Sequence, residues 1–152
     1  MANPTSQVPS TAQEYEDTKG IWPIIASTAT TYQTGEMVGV DPATGYADHF
    51  DDTKAMKFLG LFDGLHQVQD STSPLPAYIR YNRPYRFSMP LASGTATRAG
   101  DITSNIYAKD SGHVAKSGTS NSNLAGTIVD IVGVTPEDIV TASGGQVWIK
   151  PP

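Results

Sequence analysis

Short apolar or alternating runs cover the chain from residue 21 onward, and Gly, Pro, Asn or Asp separates each run from the next. Alternation with a period of two between turn signals is typical of antiparallel strands. The pattern predicts strands at residues 21–26, 36–41, 46–49, 56–62, 77–81, 85–91, 101–108, 114–116, 125–132 and 146–150. Strands this short and closely spaced predict an all-β fold, a compact antiparallel β-barrel or sandwich.

Helix is predicted to be a minor component. Residues 135–138 have Pro136 at a first helical position and acids after it, which favours one capped helical turn. Thr11 and Glu14 fit a capping box, which predicts one or two helical turns ending by Gly20.

The first 20 residues are polar, contain Pro and have few large aliphatic side chains. Such a segment buries too little apolar surface to fold alone. The sequence therefore predicts a flexible, extended N-terminal arm at residues 1–20 and one β-barrel or sandwich domain at residues 21–152. We expect the arm to contribute more to docking than to folding. It has neither the basic nor the apolar region of a signal peptide.

The domain contains an internal near-repeat. Each copy begins a strand at a Gly, turns through an Asp and a Gly, and ends in a strand with an apolar-Gly-apolar sequence. Asp and Gly favour tight turns because Asp bonds its own backbone and Gly accepts a positive φ. The fold is therefore predicted to contain two similar hairpin units, 65 to 67 residues apart. The matched glycines are Gly35 with Gly100, Gly45 with Gly112 and Gly60 with Gly126.

Composition and charge narrow the function. The chain has 152 residues, no Cys and a net charge of −5, which favours one domain without disulfides and argues against general nucleic-acid binding. Residues 71–100 hold four Arg and no acid, whereas residues 41–63 hold five Asp against Lys54 and Lys57. Opposite patches suit self-association or docking on a lattice, and a mixed solvated surface is the alternative.

Candidate catalytic and metal-binding residues are few. The three His lack a ligand spacing, no Cys completes a zinc site, and no G-x-S-x-G motif is present. We therefore expect no enzymatic activity, no metal and no cofactor. Asp48, Asp51 and Asp52 form the densest oxygen cluster, which suits either a Ca²⁺ site or a solvated acidic loop. The longest apolar stretch, near residues 124–134, is too short to span a bilayer, so no membrane partner is expected.

Residues 78–87 interleave aromatic side chains and Arg around Pro84. Tyr and Arg dominate buried protein contacts, which favours a protein-binding strand edge here. Ordinary strand packing with solvated Arg, or stacking of single-stranded nucleic acid on the aromatics, are the alternatives. The candidate partner or oligomer interface consists of Tyr78, Arg80, Tyr81, Arg83, Tyr85, Arg86 and Phe87.

Residues 33–150 resemble a known family. The repeated hairpin pattern is joined by the middle segment FSMPLAS at residues 87–93 and by the C-terminal strand QVWIK at residues 146–150. This order resembles the capsid cement, or head-decoration, proteins of tailed phages. The chain departs from that pattern in its longer polar arm and its middle segment rich in Arg and Tyr.

The resemblance implies a compact β-barrel or sandwich that is commonly trimeric. It also implies a structural virion protein, assembled in the host cytoplasm, that binds the outer capsid surface and stabilises the shell. The expected partners are the major capsid protein of the same virus and two further copies of the chain, without nucleic acid. An OB-like nucleic-acid-binding module and a surface adhesion domain are the alternative functions.

Overall fold

A computed structural model describes residues 3–4, 6–9, 12–14, 19–24, 30–63, 67–69, 75–81, 84–132 and 139–152. The described part is almost entirely β-strand, with one short helix, α1 at Arg98–Asp101. The strands are β1 Ala12–Glu14, β2 Lys19–Ile24, β3 Thr30–Tyr32, β4 Met37–Val40, β5 Ala47–His49, β6 Lys57–Phe62, β7 Gln67–Gln69, β8 Leu75–Tyr81, β9 Pro84–Pro90, β10 Thr95–Thr97, β11 Asn105–Asp110, β12 His113–Ala115, β13 Leu124–Val132, β14 Ile139–Thr141 and β15 Gln146–Lys150.

Two sheets form the body of the fold. One has six strands in the order β1-β9-β15-β13-β11-β12, all antiparallel. The other sheet has the strand order β2-β5-β4-β6-β8 and closes on itself, because β2 also pairs with β8. The pairing of β2 with β8 is antiparallel and runs along the whole of β2, whereas β2 and β5 are parallel and pair only at Ile24 and Ala47. Two short pairs, β3 with β7 and β10 with β14, complete the described strands. In the described residues, no helix is long and apolar enough to cross a membrane.

The all-β prediction is confirmed, and every predicted strand overlaps an observed one. The largest shift concerns predicted strand 101–108, which begins only at Asn105 because α1 precedes it. Thr97 caps this helix: its hydroxyl accepts the Gly100 N–H at 3.1 Å, and its own N–H donates to Asp101 at 2.7 Å. This reciprocal cap was not predicted.

The predicted helical turn after Thr11 is wrong. Ala12–Glu14 is strand β1, which pairs with β9 through Ala12 and Phe87. An edge strand supplies the backbone partners that a short isolated helix lacks in water. The predicted helical turn at residues 135–138 lies outside the described residues.

The two predicted hairpin units are present and share one topology. In each unit the first strand is central: β4 lies between β5 and β6, and β11 lies between β12 and β13. The third strand carries a register shift at the same place in both. Val38 pairs with Gly60 before the shift, and Ile106 pairs with Gly126. The predicted match of Gly60 with Gly126 is therefore confirmed.

The start of each unit corrects the sequence alignment. The N–H of Gly35 donates to Phe62 at 2.9 Å, and the N–H of Thr103 donates to Ile128 at 2.7 Å, each acceptor lying two residues beyond the matched glycine. Gly35 has φ 90° and Thr103 has φ 75°. The structural equivalent of Gly35 is therefore Thr103, and the predicted match with Gly100 is wrong. Because few β-branched residues adopt this conformation, the equivalence of Thr103 with Gly35 could not be predicted from residue type.

One hydrophobic core joins the two units. Met37, Phe50 and Leu61 of the first unit pack in the same buried cluster as Ile106 and Ile128 of the second. Burial of this apolar surface is the main force that holds the units together. A smaller cluster within the first unit contains Tyr32, Val38, Ala47 and Phe62.

The predicted N-terminal arm has contacts with this core. Val8 is 3% exposed, belongs to the main cluster, and donates its N–H to Thr34 at 3.1 Å. The Asn3 side chain donates to Asp51 at 2.9 Å and accepts the Ser111 N–H at 3.2 Å. The described part of the arm is thus packed on the domain, and Val8 contributes to folding in a way that composition did not suggest.

Candidate functional site

The candidate interface segment passes from one sheet to the other. Tyr78, Arg80 and Tyr81 lie in β8, between β2 and β6, and Tyr85 lies in β9, between β1 and β15. Arg80 is paired on both sides, with Lys19 and Leu61, so it does not lie at a free strand edge. Among the described strands, Pro84 and Arg86 pair with β1 alone, because the pairing of β9 with β15 begins at Phe87. A strand edge near Arg86 stays a prediction. The structure describes only the backbone of Tyr78, Arg80, Tyr81 and Tyr85, and Arg83 lies outside the described residues. Their role in an interface stays a prediction.

Phe87 belongs to the core. It is fully buried and stacks on Phe58 with ring centroids 5.3 Å apart and an interplanar angle of 7°. Phe58 in turn meets the edge of Phe50 at 5.5 Å. Phe87 therefore packs the six-stranded sheet against the first hairpin unit and is not available to a partner in the folded chain.

Arg86 lies on the opposite face of β9 from Phe87 because side chains alternate along a strand. Its guanidinium lies 4.2 Å from the centroid of the Trp148 ring, a cation–π contact. It also lies 3.9 Å from the Asp130 carboxylate, which accepts a second guanidinium, that of Arg98, at 2.8 Å. We call Arg86, Arg98, Asp130 and Trp148 the Arg–Trp cluster.

The Arg–Trp cluster is anchored by three strands and a helix. Arg86 comes from β9, Trp148 from β15, Asp130 from β13 and Arg98 from α1. Burial opposes ionisation of Asp130, but the Ile131 N–H and the two guanidinium groups outweigh it and lower the pKa of this carboxyl. Arg98 is 47% exposed, so the cluster is open to solvent at one end. Of its members, the sequence indicated only Arg86.

Asp48 and Asp51 of the predicted acidic loop form hydrogen bonds within the chain. Asp48 accepts three hydrogen bonds: from the Tyr32 hydroxyl at 2.8 Å, from the His49 N–H at 2.8 Å and from the Lys54 ammonium at 3.0 Å. Asp51 accepts hydrogen bonds from Thr53 and from Asn3 of the arm. These two carboxylates are buried and paired within the chain, so the alternative of a solvated acidic loop is wrong for them. In the described residues, no group of three acidic, His or Cys side chains suits a metal ion.

A buried polar network lies behind that loop. Glu36 is fully buried and accepts hydrogen bonds from Ser111 at 2.9 Å and from the Gln33 N–H at 2.8 Å, and its carboxylate lies 3.1 Å from His49 Nε2. The His49 ring stacks on Tyr32 at 4.0 Å. Burial, and then the Asp48 carboxylate, raise the pKa of Tyr32 far above its usual range. Through Ser111, this network joins the first unit to the turn of the second.

Equivalent loops of the two units also bind each other, and we call this contact the loop clamp. Asp52 accepts the N–H groups of Ser120 at 2.7 Å and Asn121 at 2.8 Å. Asn123 accepts the Met56 N–H at 2.9 Å and donates to two carbonyl groups of the first loop. Burial opposes ionisation of Asp52, but these donors prevail and lower its pKa. The clamp was not predicted, since its residues are 67 to 72 positions apart and form no local motif.

Comparison of the chain with protein-family models, with curated proteins and with solved structures found no match.

Proposed function

We propose that this chain is a noncatalytic head-decoration protein that binds the outer surface of a phage capsid and stabilises the shell. The observation that supports the proposal most strongly is the paired hairpin unit. The repeated hairpin pattern, which is one of the features that resemble the decoration family, forms two units of one topology with their register shift at the same position. A pattern built from turn and strand signals thus corresponds to a real structural module in this chain.

The way in which the two units are joined suits a protein that must resist mechanical stress in a shell. The shared apolar core, the Glu36 network and the loop clamp connect them at three separate places. A charged acceptor such as the Asp52 carboxylate strengthens the clamp, because charge-assisted hydrogen bonds are about twice as strong as neutral ones. A bridge between capsid subunits needs this rigidity, since a hinge inside it would yield before the contacts at either end did.

We place the self-association or shell contact at the Arg–Trp cluster. Trp and Arg are the residue types that most often dominate protein interfaces, because they combine large area with directed polar groups. The cluster pre-orients Arg86 on a ring, which lowers the entropy lost when a partner orders that side chain. In the proposed homotrimer, three linked copies would raise the effective concentration of each weak shell contact.

The oligomeric state is tested by light scattering coupled to size exclusion at tens of micromolar chain. The proposal predicts a particle of three times the 16.2 kDa chain mass. A closed trimer requires a heterologous interface, in which one patch contacts a different patch on the next copy. A monodisperse monomer at that concentration contradicts the trimer.

Shell binding is tested with empty shells assembled from the major capsid protein encoded in the same genome. Expanded and unexpanded shells are mixed with the chain and sedimented, and bound chain is quantified in the pellet. We expect saturable binding to expanded shells at a fixed ratio to the capsid protein. Equal sedimentation with and without shells contradicts the proposal, and binding to unexpanded shells alone contradicts its link to the mature head.

A further inference from the structure

A cavity of about 310 Å³ lies between the N-terminal segment and one end of the six-stranded sheet. Residues 4 and 6–9 form one wall, and the ends of β9, β12 and β15 with their turns form the other. The segment is fixed on both sides of the cavity, by Asn3 to Ser111 and by Val8 in the core. The cavity is therefore a defined space under an anchored strap, in the size range of small-ligand pockets.

The walls are mostly aliphatic and carry a few polar groups. Pro4, Pro90 and Leu91 contribute apolar surface from both sides. Ser6 and Gln7 of the strap lie across from Gln146 at the start of β15, and these three side chains make no hydrogen bond with any residue that the structure describes. An apolar pocket with a few unused polar groups is the usual form of a binding site.

His113 supplies a fourth, oriented polar group. Its Nδ1 donates to the Asp110 carboxylate at 2.9 Å, and Asp110 is 1% exposed and also accepts the Gly112 N–H. The second-nearest carboxylate oxygen lies 3.1 Å from the same nitrogen. A buried carboxylate in this position fixes the ring orientation and leaves Nε2 for another partner. Within the described residues, Nε2 has no hydrogen-bond partner.

The lining chemistry identifies the class of occupant. No Asp, Glu, Lys or Arg of the described chain lines the cavity, so a charged ligand would lose hydration without a compensating ion pair. No Phe, Tyr or Trp side chain lines it either among those residues, so the large aromatic surface on which sugars usually stack is missing there. Two amide side chains, which each donate and accept, match the N–H and C=O of a peptide backbone, and proline rings pack well on an extended segment.

From these observations we infer that the cavity under the strap is a docking site for a short, uncharged, extended peptide segment of the protein partner. The cavity itself is independent of the proposed decoration function, but the assignment of the segment to the capsid protein rests on that function. The strap contributes one wall, so the arm would act in docking through its contacts with the occupant as well as in folding through Val8.

The test uses the full-length chain, labelled with ¹⁵N, and two pools of terminally blocked pentapeptides. One pool contains only Ala, Leu, Pro, Ser and Gln, and the other has Glu and Lys in place of Ser and Gln. We expect the neutral pool to shift the amide signals of Gln7, His113, Ala142 and Gln146, and the charged pool to shift them little. No shift at these positions with the neutral pool, or equal shifts with both pools, overturns the inference.

Two variants separate the cavity from the rest of the surface. Ala142→Leu fills the cavity from an exposed wall position, and Gln146→Met removes one amide at nearly constant size. Each should weaken peptide and shell binding by about tenfold or more, a change that is readily measured. Ala43→Leu, at the exposed turn of the first unit, is the matched control and should bind as the wild type does.

The two proposals fail in different ways. If the wild type does not bind shells, the decoration function is wrong, and the peptide titration alone decides the cavity. If the wild type binds shells and both cavity variants bind them equally well, the function stands and the cavity inference is wrong. Thermal midpoints of all variants, measured first, show that each one folds.

Discussion

Gly126 is the position at which the architecture of the second unit is most sensitive to one added carbon. It lies in β13 at φ 147°, opposite the strand end of β15. A Cβ at this position would lie 2.0 Å from the Lys150 carbonyl oxygen and 2.7 Å from a methyl carbon of Ile149. Because the closest atom belongs to backbone, the two strands must move apart to accept Gly126→Ala.

Gly118→Ala is the matched control. Gly118 also has a positive φ, 79°, but no atom lies within 4 Å of its added Cβ. The control therefore reports the conformational cost alone, about 1–2 kcal/mol for an L-residue in this region. Gly126→Ala adds a cost of about 1–3 kcal/mol for forced displacement of packed atoms. We expect a total loss of about 2–5 kcal/mol at Gly126.

Urea unfolding followed by circular dichroism gives both free energies on one scale. For a domain of this length, the difference of about 2 kcal/mol between the variants corresponds to a difference in Tm of about 4–8 °C. Equal stabilities of the two variants would refute the close approach of β13 and β15 at Gly126, and with it the bulge that defines the repeated unit.

Three further predictions concern the loop clamp, the N-terminal arm and the Arg–Trp cluster. Asp52→Asn should cost about 1–3 kcal/mol at pH 7 through the loop clamp. Because the folded pKa of Asp52 is lowered, this contribution is present above the ordinary carboxyl pKa of about 3.9 and is lost as the pH falls through the folded value. Urea unfolding at pH 7 and pH 3 checks this, and a difference from wild type that is independent of pH contradicts it. Val8→Ala should lower the free energy of unfolding by about 2 kcal/mol, measured by thermal unfolding. The control Val129→Ala, at a side chain 37% exposed, should change it by less than about 0.5 kcal/mol. Equal effects of the two substitutions would mean that the arm is not part of the core. Arg86→Ala should weaken trimer formation by about tenfold or more in sedimentation velocity without unfolding the chain. A different result would favour an OB-like module: the wild type binds oligonucleotides at physiological salt, and Arg86→Ala abolishes that binding but leaves the trimer intact.

The longer strands could be predicted from the sequence because an apolar or alternating run of five or more residues is visible without the fold. Gln146–Lys150 and Lys57–Phe62 are examples in which the predicted and observed strands agree to within one residue. The strands that were not predicted, such as β3 and β10, have three residues, too few to show a period. Their existence depends on a distant partner strand rather than on local pattern.

The repeat could be predicted only where it depends on glycine. The match of Gly60 with Gly126 is visible because both units have a glycine directly at the register shift. The start of the second unit was hidden, since Thr103 takes the conformation that Gly35 takes in the first. A sequence match based on residue type selected Gly100 instead, which lies in α1.

The candidate interface could be predicted in part. Arg86 was identified from its residue type, but its partners Asp130 and Trp148 are more than 40 residues away in sequence and are brought close only by the pairing of β9, β15 and β13. Phe87 was included because an alternating pattern does not tell which face of a strand is covered. In the fold, Phe87 faces the core and stacks on Phe58, so its side chain is covered.

Whether the chain stabilises a capsid from outside is measured by the thermal rupture of expanded shells. Release of an enclosed dye is followed during heating, with shells alone and with shells saturated by the chain. We expect saturated shells to rupture at a higher temperature and electron microscopy to show added density on the outer surface. An unchanged rupture temperature at saturating chain, or density confined to the interior, would contradict it.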